Sequence, residues 1–162
     1  MQKPALRLVL AEIGAAIVLT VFILAVLKKP VNDDVSFTDL KETLLSASFD
    51  RANMKEGSAM KLKYLYGLSE NDYEAVCLYV PSTNMDAQEM LLVRCKKEAD
   101  TAKVREAMQE RIEAERNTFN SYGIEQMALI DKAFAEVRGR LCLYVCDKNS
   151  DKMREAFLKA VQ

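Results

Sequence analysis

An apolar run near the N-terminus constrains this chain more than anything else in it. Residues 8–27 read LVLAEIGAAIVLTVFILAVL, twenty positions with a single charge, Glu12. At 1.5 Å per residue, a helix of that length covers about 30 Å, the hydrocarbon thickness of a bilayer. The expectation is one membrane crossing. Lys28-Lys29-Pro30 supplies no small-residue cleavage site, so the segment reads as an uncleaved signal-anchor, with membrane lipid as its partner; a cleaved signal is the rival reading. Lys3 and Arg7 before the segment nearly balance Lys28 and Lys29 after it, so charge alone does not orient it. The N-terminal position favours residues 1–7 in the cytoplasm, 28–36 as a linker, and 37–162 as one extracytoplasmic domain. Glu12 sits about one turn from Arg7 and can reach headgroup water or pair with that arginine. Alternatively, Glu12 and Ala15 face a partner helix, with Ala11 and Ala16 permitting close approach.

The rest of the chain excludes several chemistries. It contains no histidine, which removes serine triads, histidine-borne zinc motifs and Cys-His pairs. Its five glycines are scattered singly and build no phosphate loop. Lys and Arg total 23 against 24 Asp and Glu, a net charge of −1, so nucleic acid is not an expected partner. No cofactor or metal motif is present, and no catalytic residue is assigned.

Local pattern then predicts the elements. Ser36 caps a first helix with Phe37, Leu40, Leu44 and Leu45 at helical spacing. Residues 54–66 read as a weak helix ending at Gly67. Residues 73–80 and 89–95 read as a hairpin, followed by an amphipathic helix over 100–119 with Val104, Met108, Ile112 and Phe119 on one face. After Tyr122-Gly123 comes a short helical piece. Strands over 133–137 and 141–146 turn near Gly139, and a last helix capped by Ser150 carries Met153, Phe157 and Val161.

Strand, strand, helix thus occurs twice, and Arg105-Glu106-Ala107-Met108 in the first copy matches Arg154-Glu155-Ala156-Phe157 in the second. The predicted fold is α+β: a four-stranded, mainly antiparallel sheet made of two such units, with helices packed on one face.

The Tyr66-Gly67 turn, the acid-rich second strand around Gln88-Glu89, Arg111 and Phe119 in the long helix, Tyr122 after it, and Gly139 leading into Tyr144-Val145 form a recognisable set. On these residues the chain from about Leu40 onward resembles an uncharacterised family of bacterial cell-envelope proteins, largely of Firmicutes, known as domain of unknown function 4358. Gly123-Ile124 stands where that family's Tyr-x-Pro turn is expected. The resemblance implies a membrane-tethered, extracytoplasmic domain without an assigned activity.

Candidate sites are few. Cys77, Cys95, Cys142 and Cys146 fit no zinc spacing. They are either buried thiols acting as small hydrophobes or, in an oxidising compartment, the source of one cross-strand disulfide such as Cys77–Cys142. Strand alternation puts Cys142, Tyr144 and Cys146 on one sheet face and Leu141, Leu143 and Val145 on the other. Tyr73, Cys77 and Tyr79 can share the first of these, giving a semi-polar face that is either covered by the N-terminal helix of the domain or open to a partner. The apolar face is expected under the long helices. The favoured function is a membrane-anchored binding or protein-interaction module of the cell envelope, with an envelope protein as candidate partner. The alternatives are an envelope hydrolase or transferase using carboxylates or a thiolate, and an accessory subunit of a larger membrane complex.

Overall fold

The computed structural model describes residues 13–14, 19–20, 31–47, 51–121 and 123–162. The expectations placed on residues 8–27 as a span, on Glu12 and Ala15 as helix contacts, and on Tyr122 lie outside these residues, apart from two helical pairs, 13–14 and 19–20. Among the described residues no helix is long and apolar enough to cross a membrane. The chain divides into two compact units, Met1–Pro30 and Val31–Gln162.

The second unit is α+β. Its elements are α1 (Phe37–Ser46), β1 (Met54–Glu56), α2 (Ala59–Tyr66), β2 (Ala75–Pro81), β3 (Glu89–Arg94), α3 (Thr101–Phe119), α4 (Ile124–Ile130), β4 (Phe134–Arg138), β5 (Leu141–Cys146) and α5 (Ser150–Ala160). The strands form one five-stranded sheet in the order β1-β2-β3-β5-β4, and every neighbouring pair is antiparallel.

The fifth strand corrects the expected four. Residues 54–66 do not form one helix, because Gly57 divides them: its N–H donates to the Leu78 carbonyl at 2.8 Å, and a Cβ there would stand 2.6 Å from the Leu78 side chain. Ahead of this close approach Met54–Glu56 pairs with β2. Behind it, the Ser58 hydroxyl accepts from Lys61 N at 3.2 Å and starts α2, which ends at Gly67 in the left-handed region. Ser36 caps α1 as expected, accepting from Asp39 N at 3.3 Å. Ser150 is the first residue of α5 rather than its cap, and its hydroxyl bonds both backbone groups of Asp147.

Helices cover both faces of the sheet, not one. On one side Leu78, Leu91, Val93, Cys142 and Tyr144 pack beneath Leu62 and Tyr66 of α2, Val104, Met108 and Phe119 of α3, and Ile130 of α4. On the other, Cys77, Tyr79, Met90, Leu92, Leu143 and Val145 pack against Leu40 and Leu44 of α1 and Met153 and Phe157 of α5. Each fully buried apolar side chain contributes about 1.5–3 kcal/mol, so a helix such as α5 is held by its inward stripe more than by its own propensity. The two strand-strand-helix units are therefore not structural copies. A two-fold axis through the antiparallel β3–β5 pair would put α3 and α5 on the same face, and they lie on opposite faces.

The segment expected as a linker is bonded to the domain. Asn32 N donates to the Val161 carbonyl at 3.0 Å, and the Asp33 carboxylate accepts from Arg140 N at 2.7 Å in the β4–β5 turn. The Arg140 guanidinium also holds Asp34 and Glu74, each at 2.6 Å, while Arg94 donates to the Val35 carbonyl. Gly139 makes the turn with φ +52°, and a Cβ there would collide with the Asp33 carboxylate.

Candidate functional site

Strand parity places Glu89, the first residue of β3, on the same face as Leu91 and Val93, under the α2/α3 layer and away from water. A carboxylate so placed is costly unless paired. Its side chain is 1% exposed, and its partner comes from α3: Arg111 donates through Nε to Glu89 Oε1 at 3.1 Å and through Nη2 to Oε2 at 2.7 Å. Glu115, one turn further along α3, is ion-paired with the same Nη2. Tyr66, the last residue of α2, donates its hydroxyl to Glu89 Oε1, and its ring meets the edge of Tyr144 at 6.2 Å.

Burial sets the electrostatics. Burial first, and the Glu89 carboxylate second, push the Tyr66 phenol well above its usual value, so it stays a donor. Burial opposes the charge on Arg111, but its bond to Glu89 and the nearby Glu115 outweigh that and hold it above the ordinary guanidinium range. Burial raises Glu115, with Arg111 offsetting only part of the rise. The result is one guanidinium held by two carboxylates, one of which also accepts from a phenol.

This network floors a cleft of about 290 Å³. Lys61, Tyr64 and Leu65 of α2 form one wall, Thr118 and Phe119 of α3 another, and Pro81 with the loop residues Thr83, Asn84 and Asp86 the third. That loop is braced. Ala87 N donates to Gln126 Oε1 at 2.9 Å, Gln88 N to Asp86 Oδ1 at 2.9 Å, and the Gln88 amide to Asp147 at 2.6 Å. These bonds tie the end of the loop to α4 and to Asp147.

The residues singled out from sequence lie elsewhere. Tyr73, Cys142, Tyr144 and Cys146 are in the layer under α2 and α3, whereas Cys77 and Tyr79 are on the opposite face under α1 and α5. The six do not share a face, and all are buried. The phase between strands explains the split of Cys77 and Tyr79 from Tyr144, since Cys77 stands opposite Leu92, which stands opposite Leu143, while Tyr144 stands opposite Leu91; Tyr73 lies ahead of β2 and outside its alternation. The apolar face expected under the long helices in fact packs against α1 and α5, and the Cys142–Cys146 face carries α3. A Cys77–Cys142 disulfide is ruled out by the sheet between them, and all four thiols are free and buried. Burial pushes Cys77 up to about 11 and raises Cys146 further. A hydrogen bond with Cys95, then burial, raises Cys142. None of the four lines the cleft. Among the described residues no group of three or more Cys, Asp or Glu could hold a metal ion.

Glu115 is not among the residues that the sequence singles out, and Arg111 enters only through the family resemblance. The signal was present: Arg111 and Glu115 stand between Met108 and Phe119 at helical spacing, on the stripe that goes inward.

The family described as Domain of unknown function (DUF4358) matches residues 47–147. The chain belongs to this family. The DUF4358 match runs from the end of α1 through β5 and contains the whole Tyr66–Glu89–Arg111–Glu115 network, leaving α5 outside it. Glu89, Arg111 and Phe119, three of the residues that carry the resemblance read from sequence, line this one cleft, and a fourth, Tyr66, bonds Glu89. No curated protein and no solved structure matches the chain.

Proposed function

We propose that this chain is a membrane-tethered, extracytoplasmic binding module of the cell envelope, with the cleft above Glu89, Arg111 and Glu115 as its ligand seat. The observation that carries the binding role is a buried ion-pair floor beneath an open, polar cleft, the kind of preorganised concavity that holds a small ligand. Both carboxylates are engaged by one guanidinium, an arrangement suited to positioning a ligand more than to transferring its protons. The tether rests on the hydropathy of residues 8–27 and the cation pairs that flank it.

Protease added to intact cells tests the placement. The domain should be clipped from outside while the N-terminal segment stays with the membrane fraction. A spared domain, or mature protein free in the medium and trimmed near Lys29, overturns the tethered reading.

A second reading is favoured by Glu12, an acid inside an otherwise apolar run and close to Ala15. The helix then attaches the domain to a larger membrane complex, and Glu12→Ala or Ala15→Leu weakens co-purification of a partner. Unchanged recovery of the same partners points to a passive anchor.

A further inference from the structure

We infer that the cleft takes an uncharged, hydroxyl-rich ligand, a sugar unit of a glycan chain; the inference rests on the cleft being a ligand seat and names what fills it. Its first support is what the floor leaves unpaired. Arg111 uses Nε and Nη2 on Glu89, and among the described residues nothing accepts a hydrogen bond from its Nη1. The Glu115 side chain is only 8% exposed, and among the described residues its one close partner is Arg111, paired through Nη2, with Lys61 acting on it from the cleft wall. A donor and an acceptor thus stand side by side at the bottom of the cleft. A hydroxyl group donates and accepts at once, so one hydroxyl, or two on adjacent carbons, satisfies both.

Charge argues the same way. The cleft is lined by two cations, Lys61 and Arg111, and three carboxylates, Asp86, Glu89 and Glu115. Arg111 is already neutralised by its two glutamates, so an anion finds no free positive centre at the floor. A cation drawn to Glu115 meets Arg111 beside it. A neutral ligand meets neither penalty.

The wall supplies the remaining feature. Tyr64 is 80% exposed, with Lys61 against its ring at 5.6 Å, so a flat aromatic surface stands at the rim of a polar cavity. A sugar ring has the matching form, apolar C–H faces with hydroxyls around the edge, and can lie on the tyrosine while its edge reaches the floor. The volume of about 290 Å³ is at the lower end of small-ligand clefts, roughly 300–1,000 Å³, which suits one sugar unit with the chain running out at the mouth.

The test uses the full chain in detergent micelles, titrated calorimetrically with four probes. Two are neutral, maltotetraose and the N-acetylglucosamine tetramer; one is cationic, the de-N-acetylated tetramer; one is anionic, inorganic polyphosphate. At least one neutral probe should bind saturably, and Tyr64→Ala and Glu115→Ala should each weaken it roughly fivefold or more. Tyr64 is exposed, so Tyr64→Ala should unfold at the wild-type temperature and separates lost binding from lost fold. Binding of only a charged probe, weakened by the same substitutions, overturns the ligand class and keeps the seat. Neutral binding that ignores both substitutions overturns the seat. Failure of all four probes against folded protein overturns the sugar inference.

Discussion

Replacing Arg111 with methionine removes the one cation that stands between Glu89 and Glu115 while keeping most of the side-chain volume. Two hydrogen bonds to Glu89, at 3.1 and 2.7 Å, and the ion pair to Glu115 disappear together. The cost is not their sum, because the intact pair also carries the desolvation of its own charges. What dominates is the group left behind: a Glu89 side chain 1% exposed, with the Tyr66 hydroxyl as its remaining side-chain donor. Breaking a buried pair in this way costs about 3–5 kcal/mol, a large part of the roughly 5–15 kcal/mol that holds a domain folded. For a unit of this size that corresponds to a fall of roughly 10–20 °C in Tm. Thermal unfolding of the full chain in micelles, followed by far-ultraviolet circular dichroism, measures it. Adding Glu89→Gln to Arg111→Met should restore a good part of the loss, since no charge is then stranded. A fall of less than about 3 °C in the single variant, with no recovery in the double, would refute the view that this floor is dry and mutually dependent.

Glu115→Gln tests the same floor through pH. Burial lifts the folded-state pKa of Glu115 above its unfolded value, so the stability it contributes is complete below about pH 4.3 and is lost as pH rises through the folded value. The variant should therefore match wild type in Tm at the acid end and exceed it at neutral pH; a difference that does not change with pH removes the argument. Gly57→Ala drives a methyl to within 2.6 Å of Leu78, and urea unfolding should show a loss of about 1–3 kcal/mol. Tyr73→Phe should be neutral or stabilising by up to about 1 kcal/mol in the same assay, because among the described residues the buried Tyr73 hydroxyl has no hydrogen-bond partner; a clear loss would mean that it has one.

The strands that read most clearly from sequence were those with long β-branched or apolar runs. β5 has the bounds expected, and β2 and β3 differ at their ends by one or two residues. β1 was invisible because three residues, Met54–Glu56, are too few to show alternation, and the only trace of it is Gly57, whose role depends on Leu78 in a distant strand. Parity within a strand was legible, as the split of Leu141, Leu143 and Val145 from Cys142, Tyr144 and Cys146 shows. Phase between strands was not, because it is set by pairings such as Cys77 with Leu92 that no single strand encodes. The site was hidden for a related reason. Glu89, Arg111 and Glu115 each look like ordinary surface charges until the stripe of α3 and the inward side of β3 are seen to face each other.

The bonded entry segment decides how this unit carries mechanical load. A pull on the backbone at Val31 would load the Asn32–Val161 bond first and then the contacts of Asp33 and Asp34 with Arg140. Traction thus enters at the β4–β5 turn and at the far end of α5, spreading over the sheet instead of peeling α1 away. Removing the Arg140 guanidinium would leave Asn32 on Val161, and Asp33 on the Arg140 N–H, as the remaining holds on this entry segment.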